Sequence, residues 1–67
     1  MFFRVIFTVN HVMTAFYSSK FRSWQIANHV SQILKDIPEI RSCTIQQLID
    51  SDKNGETWLP CSDGPLS

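Results

Sequence analysis

Sixty-seven residues, 43% apolar, 12% aromatic and 18% charged, with two Gly and three Pro, describe one small globular domain. That composition excludes a disordered tail, a collagen-like repeat and a long coiled coil, and no apolar run approaches the roughly 18 residues that span a bilayer. The net charge of zero hides a polarity: residues 1–35 hold Arg4, Lys20, Arg22 and Lys35 with no acid, whereas all six acids follow, against Arg41 and Lys53.

The opening Met1-Phe2-Phe3-Arg4-Val5-Ile6-Phe7 is broken by Arg4 and lacks a small-residue cleavage site, so no signal peptide is expected. Two cysteines are too few for a secreted disulfide scaffold, and the expected location is cytoplasmic. Phe3, Val5, Phe7 and Val9 alternate with Arg4, Ile6, Thr8 and Asn10, which predicts a strand over 2–9. Asn10-His11 is a turn, and Met13 to Ser18 reads as a second strand pairing back as a hairpin. Ser23 can cap a helix. Ile26, Ala27, Val30, Ile33, Leu34 and Ile37 then form one apolar stripe, and Pro38 ends it, giving an amphipathic helix over 23–37.

Cys43 to Ile49 fits a strand or a helix opening at Pro38-Glu39; its β-branched Thr and Ile favour the strand. Asp52-Lys53-Asn54-Gly55 is a tight turn, and Glu56 to Pro60 returns as a short strand that Pro60 confines to an edge. Residues 1–61 form the domain, and 62–67 read as a flexible C-terminal tail. The fold class is therefore α+β: an antiparallel sheet in the order β-β-α-β-β with one helix on one face. Pairing 42–49 with 56–61 sets Cys61 opposite residue 46, 47 or 48. That leaves Cys43 about 10 Å along at a rise near 3.4 Å, beyond the roughly 7 Å a disulfide allows. Two free thiols are expected.

Asp50-Ser51-Asp52-Lys53-Asn54-Gly55 matches the first half of an EF-hand loop, but the bidentate Glu that should complete it is replaced by Cys61. A weak calcium-binding loop at 50–55 is thus a remote alternative to a plain hairpin turn. His11, His29, Cys43 and Cys61 lack the short spacings of a zinc site, so neither metal nor cofactor is expected. A Gly-rich phosphate loop, a nucleophile elbow and a carboxylate pair are all missing from the sequence, and an enzyme is not expected.

Phe16-Tyr17-Ser18-Ser19-Lys20-Phe21-Arg22-Ser23-Trp24 interleaves cations with aromatic rings, a mixture suited to single-stranded nucleic acid and to protein interfaces. Only two cations lie in it, which favours a protein partner. If the helix covers Phe3, Val5, Phe7 and Val9, Arg4 points to the other face. There Arg4, Tyr17, Lys20 and Arg22 are the candidate partner-binding surface, with an acidic face of Asp50, Asp52 and Glu56 as second candidate.

The element order, with the helix opening Ser23-Trp24-Gln25-Ile26-Ala27 and the segment Asp52-Lys53-Asn54-Gly55-Glu56-Thr57-Trp58-Leu59-Pro60-Cys61, resembles small phage and mobile-element inhibitors, in particular small anti-CRISPR proteins directed at type I surveillance complexes. The resemblance covers residues 23–61. It implies a non-enzymatic inhibitor that occupies a surface of a larger, nucleic-acid-handling complex, and it carries no functional residue over to this chain. A nucleic-acid-binding regulator using residues 16–24 is the alternative.

Overall fold

The computed structural model describes residues 1–66; residue 67, the end of the expected tail, lies outside them. Strand β1 (Phe3–Val9) turns at His11, whose φ of 66° is left-handed, and returns as β2 (Ala15–Tyr17). Helix α1 (Trp24–Lys35) follows, then β3 (Ile40–Asp52) and β4 (Gly55–Pro60). All pairings are antiparallel and the sheet order is β2-β1-β3-β4, so the first strand of the chain lies inside the sheet. The fold is the small α+β domain that the sequence predicts.

The second strand is shorter than the expected 13–18. Val12 and Met13 stay in the exposed loop. Beyond Tyr17 the hydroxyl of Ser18 accepts the Val5 N–H at 2.8 Å while the Ser18 N–H donates to the Val5 carbonyl. A side chain thus takes over from the ladder, which resumes at an isolated bridge between Phe3 and Phe21. The ambiguous segment is a strand, and at 13 residues it is longer than 43–49. Its first part pairs with β1 and its second with β4; two partners in tandem extend it beyond what either would support.

The ladder between β3 and β4 slips at Ile49, with Leu48 opposite Trp58 and Asp50 opposite Thr57. This bulge shifts the register that the sequence implied. Pro60 faces Gln46, and the Cys61 N–H donates to the Ile45 carbonyl, so Cys61 stands one residue beyond the expected 46–48. Cys43 and Cys61 are both free thiols.

Ser23 caps α1 with extended backbone (φ −125°, ψ 130°), its hydroxyl accepting from the Ile26 N–H. The helix stops at Lys35, two residues short of expectation, because Asp36 turns to bond the Ile33 and Leu34 carbonyls. It lies over β3 and β1 and leaves both outer strands uncovered. Phe3, Val5, Ala27, Ile45 and Cys61 make the buried core, with Trp24, Val30 and Leu34 packed against it.

Two parts of the expected pattern differ. Phe7 and Val9 are only half-buried, since the sheet outreaches the helix. Of the six-residue stripe, Ile26, Ile33 and Ile37 remain exposed. At about 100° per residue, Ile26 and Ile33 sit on a flank that a helix spanning two strands does not bring to the sheet, and Ile37 lies past the helix end.

The described part of the C-terminal segment expected as a flexible tail, residues 62–66, folds back instead. Leu66 packs on the core, its N–H donating to Gln47 Oε1 at 2.7 Å and its carbonyl accepting from Gln47 Nε2 at 3.4 Å. Gln47 is buried in the sheet, and the main chain of Leu66 satisfies both ends of its amide.

Candidate interaction face

The alternation of β1 sends Arg4 and Ile6 away from the helix. Strand register decides what meets them there. Tyr17 is opposite Ile6, and therefore diagonal to Arg4; Gln46 is directly opposite Arg4; Trp58 is reached across β3 through Leu48. Arg4 Nε donates to Gln46 Oε1 at 2.9 Å, which fixes the guanidinium over the sheet. Its central carbon lies 4.1 Å from the Tyr17 ring centroid and 4.1 Å from the Trp58 centroid, so one cation is held between two rings. Each such contact is worth about 0.5–1 kcal/mol at an exposed site.

Lys20 adds a second cation, 6.0 Å from the Trp58 centroid, and pairs with Glu56. The ion pair links the segment after β2 to β4, strapping the two sides of the sheet together over its helix-free face. Glu56 also accepts from the Trp58 indole N–H at 3.3 Å. The Lys20 ammonium, aided by that indole, holds the Glu56 carboxyl below its ordinary range.

The structure thus brings Arg4, Tyr17 and Lys20 together and separates Arg22 from them: its guanidinium stands 5.3 Å from the Phe2 ring centroid instead. Trp58, which the sequence reading left out, completes the group. A signal was available in Glu56 and Trp58 sharing one side of a strand, but only the bulge at Ile49 tells which side.

The acidic candidates do not form one face. Asp50 pairs with Thr57 and Asp52 with Gly55, whereas Glu56 pairs with Ser51; paired residues share a side, so the two aspartates lie on the side opposite Glu56. Asp52 Oδ1 accepts the Asn54 N–H at 2.8 Å. Gly55, at φ 131°, supplies the backbone conformation of the turn. The 50–55 segment is therefore extended strand plus a tight hairpin turn, with no wrapped loop of oxygens.

Among the described residues no group of three or more His, Cys, Asp or Glu side chains is placed to hold a metal ion, and no pocket opens. Cys43 Sγ lies 3.4 Å from Ser31 Oγ beneath the helix. Burial pushes the Cys61 thiol up, with the nearby Trp24 indole acting against that shift. No helix of the described residues is long and apolar enough to cross a membrane. Compared with known proteins, the chain matches no family model, no curated protein and no solved structure.

Proposed function

We propose that this chain is a small non-enzymatic protein-binding module whose helix-free sheet face docks on a larger complex. The observation that carries the reading is the guanidinium of Arg4 held between Tyr17 and Trp58. Tyr, Trp and Arg are the residues that dominate binding energy at protein interfaces. Here they are already ordered by their own contacts and by Gln46, so little side-chain freedom remains to be lost on docking. Inhibition by occupying a surface of a nucleic-acid-handling complex is the form of this function that the resemblance to small anti-CRISPR proteins implies.

Direct binding of single-stranded nucleic acid is less well supported. The inner faces of Tyr17 and Trp58 are occupied by Arg4, and Lys20 is neutralised by Glu56. A face with few free cations has little to release as counterions.

The test is capture from a nuclease-treated lysate of the cell that carries the gene, comparing the parent chain with Tyr17→Ala/Trp58→Ala. Retention of one defined complex by the parent, lost in the double variant while its far-UV circular dichroism is unchanged, is the expected result. Equal retention by both chains overturns the assignment of the face. Binding of the purified chain to bare oligonucleotide with a steep salt slope selects the nucleic-acid reading instead.

A further inference from the structure

We infer that the terminal nitrogens of Arg4 form a carboxylate-binding fork, so that the protein docking on the sheet face presents an aspartate or glutamate side chain to it; this rests on that face being the docking surface. A guanidinium carries five N–H donors in a fixed plane. Arg4 uses the one on Nε for Gln46 Oε1, and among the described residues its Nη groups make no hydrogen bond and no ion pair. Those open donors are nonetheless held in place. Gln46 fixes the Nε edge, and the Tyr17 and Trp58 rings flank the cation, each with its centroid 4.1 Å from the central carbon. What stays available is the edge carrying the Nη donors. The neighbouring acids do not fill it: the two oxygens of Glu56 accept from Lys20 and from the Trp58 indole, and Asp50 and Asp52 lie on the opposite side of the sheet. Within the group of Arg4, Lys20 and Glu56, the Arg4 charge is the one without a counter-ion.

Shape and charge select a protein carboxylate over a phosphate. A carboxylate is flat and meets a guanidinium in its own plane through two parallel bonds. The rings that flank the cation therefore flank such a ligand as well, whereas a tetrahedral phosphate sets oxygens out of that plane, against the rings. A nucleic-acid strand also offers a phosphate at every nucleotide and is held by a run of free cations. Here Lys20 is already paired, and a single cation is left. A free small acid fits no better, because no pocket opens among the described residues to enclose it. The contact area must come with the carboxylate, from the surface of a folded partner.

The test is an NMR titration of the isotope-labelled chain with N-acetyl-glutamate amide at fixed ionic strength, with N-acetyl-glutamine amide as the uncharged control. The glutamate probe should shift the Arg4 Nε–H and Trp58 indole N–H signals saturably, with a midpoint at about 10–100 mM, the range of one exposed charge-assisted pair. The glutamine probe should leave both signals in place. Arg4→Lys keeps the charge and loses the fork, so it should weaken the Trp58 response to glutamate about tenfold. An equal response to both probes, or an undiminished response in Arg4→Lys, overturns the fork. Inorganic phosphate binding more tightly than the glutamate probe overturns the choice of a carboxylate. Capture from lysate separates the fork from the face it sits on. A complex lost with Tyr17→Ala/Trp58→Ala and also with Arg4→Lys is the expected result. One lost with the double variant but kept by Arg4→Lys leaves the face in place and overturns its acidic partner. One kept by both variants overturns the face, and the acidic partner with it, while the titration still reports on the fork.

Discussion

On the helix side of the sheet, Phe3, Val5 and Ile45 lose almost all contact with water, while on the other side Arg4 and Trp58 stay half-buried, Tyr17 stays exposed, and the three cover one another. The difference follows from chain length. Sixty-seven residues supply one helix, and one helix covers one face. The remaining face must be finished with side chains that are apolar along their length and polar at the tip, which is what Arg, Tyr and Trp provide. One face is held by exclusion of water and the other by stacking and hydrogen bonds at its border with water. The second arrangement is weaker, but it leaves ordered anchors where a partner can reach them.

The largest separation between the faces is expected on truncation. Phe3→Ala removes a side chain that is 2% exposed and should cost about 3–5 kcal/mol. A domain of this size has a total stability of only about 3–10 kcal/mol, so urea unfolding should show the variant largely unfolded or nearly so. Trp58→Ala should cost only about 1–2 kcal/mol, the worth of two cation–π contacts and some area, with the cooperative transition kept. If the two variants lose equal stability, the contrast between the faces is wrong.

The pH response sharpens the same comparison, because each face carries one shifted group. Cys61, on the helix side, has its thiol pushed above 9.0 by burial. A folded-state value raised above the unfolded one gives stability that is complete below pH 9 and lost as pH rises through the folded value. Glu56, on the other side, is held below 4.5 by Lys20. Its contribution is present above pH 4.5 and lost as pH falls through the lower folded value. Thermal melts across pH should therefore show an alkaline loss that Cys61→Ala removes and a smaller acid loss that Glu56→Gln removes. The acid arm should shrink in salt, since that pair is exposed. A smaller effect still is expected for Ser23→Ala, about 1 kcal/mol from the helix cap, and it should leave both pH arms in place.

Much of this was legible in the sequence because the signals were local. Period-two alternation marks β1, Ser23 and Pro38 bracket the helix, and Asp52 to Gly55 mark the last turn. What was not legible depends on pairing between distant segments. The bulge at Ile49 moves Trp58 and Cys61 by one place against β3, and no pattern within β4 signals it. The apolar stripe of α1 was visible, yet its division into a packed and an exposed part depends on how many strands lie beneath the helix. For the interaction face, Arg4, Tyr17 and Lys20 followed from strand alternation. Arg22 did not stay with them because it sits past the strand, where alternation no longer governs direction.

The sheet order β2-β1-β3-β4 also has a kinetic consequence. β1 with β2, and β3 with β4, are hairpins whose partners are close in sequence, so each can close in about 1–10 μs. The seam between β1 and β3 joins residues as far apart as Phe3 and Gln47, with the helix in the loop between them. Closing that loop comes at an entropic cost before any seam contact compensates it. The barrier to folding should therefore lie at this seam. Ile45→Val, opposite Val5, should slow refolding more than it speeds unfolding, whereas Thr57→Ala in β4 should act mainly on the unfolding limb of a chevron plot. A chain arranged this way has two quick halves and one slow join.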